Sequence, residues 1–304
     1  MIGRLFIIQL VVVLAFYSCK SSNSKTGEFV FPEADSIPLS EAVKLSSEAL
    51  EDIARNISSP VEIANILQKM AVPYSAGYLA STIDANRLNT SFDRALKLGI
   101  LGADLGYLNM YEKTSTSIDL LSSIKKLADG INVGQYFDFD AIKRLSRNRA
   151  NLDSLLFISQ NSFNKIDEYL RVNGRGQYSA LMIIGVWIEG QYLATQVLRQ
   201  YPDSILSNRV GEQKTILEDL LMLLAPYKDT TSEFTSLWQD MQELKDKYRD
   251  VRITYTVGDP VMVEKDGALT VTQTEESKVE MTDEQLKAII DISGSIRTKL
   301  ISNN

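Results

Sequence analysis

The sequence predicts an all-α fold: an antiparallel array of eight or nine helices with one small β-hairpin near the C-terminus. Three observations predict it. Apolar residues recur at steps of three and four through most of residues 39–251, the period of a helix face. Prolines and an Asn-Gly turn separate those stretches. At residue 252 the period changes to two, the alternation of a half-buried strand.

The first element is not part of the fold. Arg4 supplies a positive start, Leu5–Tyr17 is apolar except for Gln9, and Ser18-Cys19 ends the run. A bilayer span needs ~20 apolar residues, so residues 1–18 read as a cleaved signal peptide. The Ser-Cys junction resembles a bacterial lipobox, which implies that Cys19 is lipidated. Cys19 is also the sole cysteine of the chain, and an unpaired thiol in an oxidising compartment has no structural use. Residues 19–38 are rich in Ser, Lys, Gly and Pro without a period and read as the lipidated tether. Lys20 follows the cysteine, and no acidic cluster comes after it. That pattern points to the periplasmic face of the outer membrane.

Residues 39–304 form the helical domain. Leu39, Val43, Ser46, Leu50, Ile53 and Ile57 share one helix face, and Val61–Met70 carries a second helix from Pro60 to Pro73. A short helix is expected over Tyr78–Asn86. Residues 91–111 read as a long buried helix that holds Gly99, Gly102 and Gly106. Each glycine costs ~1 kcal/mol against alanine in a helix interior, so close approach of a neighbouring helix is expected. Thr116–Asp129 follows, with Gly130 expected as its C-cap. Helical segments at 138–149 and 151–172 end at the turn Asn173-Gly174-Arg175-Gly176. Residues 177–200 are apolar nearly all round and predict a central helix. Helices over Lys214–Ala225 and Ser232–Val251 come next, the latter with Trp238 and Tyr248 on its core stripe. A hairpin is expected over 252–273, with an Asp266-Gly267 turn and its apolar face docked near the last helix. Thr282 and Gln285 form a capping box for that helix.

The stretches ALKLGILGADLGYLNMY and NLDSLLFISQNSFNKIDEYLRVNGRGQYSALMIIGVWIEGQYLATQ resemble an uncharacterised family of helical lipoproteins from Bacteroidota-type bacteria. The likeness covers residues 90–200 and carries no catalytic signature, so it implies location and fold alone. A tetratricopeptide array would need a 34-residue self-similarity, and none is found.

Composition removes whole classes of chemistry. The chain has no histidine, which excludes Ser-His-Asp and Cys-His catalysis and His-ligated zinc or haem. No phosphate-binding or calcium-loop motif is present, and no metal or cofactor is expected. Without Arg4 the 32 basic residues become 31 against 39 acidic, a net charge of −8. No basic cluster carries interleaved aromatics, so nucleic acid is not a partner. Lys143, Arg144, Arg147 and Arg149 read as a solvated face.

Two acids lie among apolar neighbours, Asp104 in LGADL and Glu189 in VWIEG. A buried carboxylate needs a partner or a raised pKa. One reading joins them with Tyr107, Tyr111, Trp187 and Tyr192 in a pocket for a small polar ligand. The other makes each acid a structural centre paired with Arg94, Arg149 or Arg199. The function expected is a lipid-anchored cell-envelope module that binds an envelope protein or a small polar ligand. The alternative is a His-independent carboxylate hydrolase or lyase built on Asp104 and Glu189, for which no catalytic residue can be assigned from sequence.

Overall fold

The computed structural model describes residues 67, 69–145, 152–258, 261–265, 268–272 and 275–302. The signal peptide, the tether, the helix expected over 39–57 and most of the one over 61–70 lie outside them. Leu67 and Lys69 are helical.

Eight α-helices occur among the described residues: α1 Ser91–Met110, α2 Thr114–Gly130, α3 Phe139–Leu145, α4 Leu152–Val172, α5 Gly176–Gln200, α6 Ser204–Leu224, α7 Ser232–Tyr248 and α8 Asp283–Ser302. Their ends follow local chemistry. Thr90 caps α1 by accepting from the Asp93 backbone N–H at 3.0 Å. Asp203 caps α6 in the same way through Leu206 N–H at 2.8 Å. That cap starts α6 ten residues before the expected Lys214, and Leu206 and Val210 give its first turns a buried face. Thr282 and Gln285 bond each other's backbone N–H at 3.2 and 2.7 Å, the predicted capping box of α8.

Two expectations fail locally. The chain over Tyr78–Asn86 forms no α-helix; a 3-10 turn at Ala76–Tyr78 is followed by turns. The Asp84 carboxylate accepts from Asn86 N–H at 2.9 Å, a local bond that competes with helix formation. Gly130 is not the left-handed cap of α2 either. That role belongs to Asn132, at φ 56°, with Val133 N–H returning to the Ala128 carbonyl at 2.9 Å. Gly130 is small because the Arg94 side chain crosses it, 2.8 Å from where a Cβ would stand.

The core forms around α1 and α5. Gly99 faces the Met182 carbonyl and Gly185 faces the Leu96 carbonyl so closely that a Cβ on either glycine would collide with backbone. The two helices therefore touch main chain to main chain, as the glycines predicted. Gly102 lies instead under the Phe163 ring of α4, and no described atom crowds Gly106. Contacts advance together from Gly99 and Gly185 to Asp104 and Glu189, so α1 and α5 run in the same direction. By length and composition α5 could span a membrane, yet 78% of its most apolar window is buried inside the fold. It is the central helix that residues 177–200 predicted.

The β segment is longer than expected. β1 (Arg252–Val257) pairs antiparallel with β4 (Glu275–Glu280), which the alternation did not predict. β2 (Val261–Lys265) pairs with β3 (Ala268–Thr272), the expected hairpin, whose Asp266-Gly267 turn lies outside the described residues. Register pairs Leu269 with Glu264 and Val271 with Met262. The β1–β4 pair docks on the helical body at α6. Val279 sits over Gly211, where a Cβ would strike it, and the Ser277 hydroxyl donates to the Glu212 carboxylate.

Candidate functional site

Asp104 on α1, Glu189 on α5 and Arg297 on α8 meet in the interior. Their residues are 1%, 0% and 5% exposed. Arg297 grips Glu189 with two parallel bonds, Nε to Oε2 at 3.0 Å and Nη2 to Oε1 at 2.7 Å. The planar guanidinium matches a carboxylate in this forked geometry. Nη2 also donates to the Tyr78 carbonyl at 3.0 Å, and the guanidinium lies 4.2 Å from the centroid of the Tyr192 ring.

Asp104 completes the group. Its Oδ2 accepts from Ala80 N–H at 2.8 Å, while its Oδ1 is buried without a donor among the described residues. Burial first, and the neighbouring Glu189 carboxyl second, hold the Asp104 carboxyl well above the ordinary range. Burial also raises Glu189, and the bonds and charge of Arg297 offset only part of that rise. The protonated form of Asp104 is therefore favoured beside the Glu189–Arg297 pair. The interior thus holds one forked ion pair and, next to it, a carboxyl that burial pushes toward its neutral form.

A strap of backbone closes the site. Residues 72–80 lie along α1, held by side chains at positions 104, 107 and 111. Tyr107 OH accepts from Ser75 N–H at 3.0 Å, and Tyr111 OH donates to the Val72 carbonyl at 2.7 Å. Tyr74 and Tyr107 stack at 5.7 Å, and Tyr107 and Tyr111 are tilted at 4.9 Å. Burial pushes both hydroxyls above the ordinary tyrosine value.

The structure thus brings together Asp104, Glu189 and Tyr192, with Tyr107 and Tyr111 beside them under the strap. Trp187 turns away: its indole N–H donates to Gln213 Oε1 on α6 at 2.8 Å. The expected arginine partners are used elsewhere. Arg94 bonds the Leu88 and Gly130 carbonyls, Arg199 pairs with Asp291 at the surface, and Arg149 lies outside the described residues. Sequence reasoning missed Arg297, the strap and the Gln191 amide, which donates to the buried Tyr248 hydroxyl at 2.7 Å. No cluster of three or more metal-ligating side chains occurs among the described residues.

Comparison of the chain with known protein families, with curated proteins and with solved structures finds no match.

Proposed function

We propose that this protein is a lipid-anchored binding or interaction module of the cell envelope, held at the periplasmic face of the outer membrane. The observation that carries the proposal is the Ser18-Cys19 junction, which closes an apolar run with the only cysteine in the chain. The resemblance of residues 90–200 to helical Bacteroidota-type lipoproteins belongs to the same proposal. The interior favours binding over catalysis. A carboxylate hydrolase needs two carboxyls that reach a substrate, one as acid and one as base or nucleophile. Asp104 and Glu189 are buried, Glu189 in the grip of Arg297 and Asp104 bonded to the strap at Ala80.

Fractionation of cells tests the proposal. The wild type is expected in the outer-membrane fraction, and Cys19→Ser in the soluble periplasm with its helical circular dichroism unchanged. A wild type recovered in the cytoplasm, or a Cys19→Ser variant that stays on the membrane, would overturn it.

A further inference from the structure

A second site lies at the opposite end of α1 and α5 from the tyrosine strap. The first residues of α1, α5 and α7 converge on an open cavity of about 500 Å³, within the ~300–1,000 Å³ of small-molecule sites. Phe92, Tyr178, Tyr227 and Phe234 supply its apolar walls, and Gln177 and Glu233 stand at its edge. The walls are pre-set: Phe92 meets Phe234 edge-on at 5.0 Å, and Arg175 backs the Tyr178 ring at 5.2 Å. Among the described residues, the Gln177 amide and the Tyr178 and Tyr227 hydroxyls bond to no other group. They are donors and acceptors held against an aromatic wall with nothing of the protein to satisfy them.

We infer that this cavity binds a neutral saccharide. Charge selects the class. Helix N-termini carry positive partial charge, and three of them face the cavity, which disfavours a cationic ligand despite the aromatic rings. An anion is disfavoured because the Glu233 carboxylate stands at the cavity edge at the start of α7, where bonds from Thr231, its own backbone and Ser232 hold it below the ordinary glutamate value. A ligand is left that is uncharged, has an apolar face to lie on aromatic rings, and has hydroxyls at its edge for an amide, a carboxylate and phenols. A pyranose ring has that chemistry. The saccharide deepens the binding function proposed above but does not depend on the lipid, so its failure leaves the Cys19 experiment untouched.

Saturation-transfer NMR on the full-length protein in detergent tests the inference, with maltose, cellobiose and N,N′-diacetylchitobiose as probes. Transfer to the ring C–H protons of at least one is expected. Gln177→Ala and Glu233→Gln are each expected to weaken that binding by about tenfold, the loss of one hydrogen bond to ligand, with unchanged melting temperature. No transfer to any of the three disaccharides overturns the inference. So does binding that both variants leave intact, or binding of tetramethylammonium or inorganic phosphate in their place.

Discussion

Arg297 is the residue on which the interior depends. Its guanidinium is the only cation that touches Glu189 among the described groups, and it also holds the strap at Tyr78. Removing one member of a buried pair leaves an uncompensated charge and costs ~3–5 kcal/mol, whereas replacing the pair by apolar groups is close to neutral. Arg297→Met is therefore expected to lower unfolding free energy by ~3–5 kcal/mol, and Glu189→Leu with Arg297→Met to restore most of it. Urea denaturation of the single and double variants checks this. Asp104 sets a pH dependence. Its folded pKa lies above that of the unfolded chain, about 3.9, so the folded state binds the extra proton. Stability is then fully present below about pH 4 and is lost as pH rises through the raised folded value; Glu189, raised in the same direction, adds to the trend. Asp104→Asn keeps an acceptor for the Ala80 N–H and cannot ionise. Its unfolding free energy is expected to fall less with rising pH than that of the wild type. Parallel pH profiles would contradict the protonated acid. The acids were legible in sequence because charged residues interrupt apolar runs. Arg297 left a fainter mark: it falls beside Ile296 and four residues after Ser293 on the buried stripe of α8. Pairing across 108 residues has no local signal.

Elements were legible where the period was long and lost where capping decided the boundary. The glycine spacing of α1 predicted a close helix crossing, but it could not say which glycine makes it. Gly99 and Gly185 do, since each faces backbone that cannot move aside. Gly99→Ala is expected to destabilise by ~1–3 kcal/mol or more. Gly106→Ala, with no described atom near it, is expected to stabilise by ~0.5–1 kcal/mol. Equal effects at the two positions, read by thermal denaturation, would refute the assignment. The ribbon obeys the same logic. Alternation announced β1, but β4 is Glu-Glu-Ser-Lys-Val-Glu and has a single apolar residue, so only pairing with β1 reveals it. Its anchor is Val279 on Gly211. Gly211→Val is expected to cost ~1–3 kcal/mol by overpacking, and to speed amide exchange in β1 and β4 ahead of the helices. Deleting residues 259–274 behind a short Gly-Ser link is expected to leave the helical body folded.

At the scale of the whole molecule, the helical class follows from periodicity, and the direction of packing does not. Helices adjacent in sequence are joined by short turns, yet the central pair α1 and α5 lies side by side in one direction. Two ends of the body therefore differ in chemistry. One holds the tyrosine strap and the sealed acid pair. The other gathers three helix starts around an open aromatic cavity. No periodicity encodes such a division, because it arises from which helices become neighbours. The segment that carries Cys19 lies upstream of the strap in sequence. Anchoring through that cysteine is the claim on which location and function both rest. Metabolic labelling with a clickable fatty acid tests it most directly. The wild-type protein is expected to carry the label and Cys19→Ser to carry none, and a wild type that remains unlabelled would contradict the account.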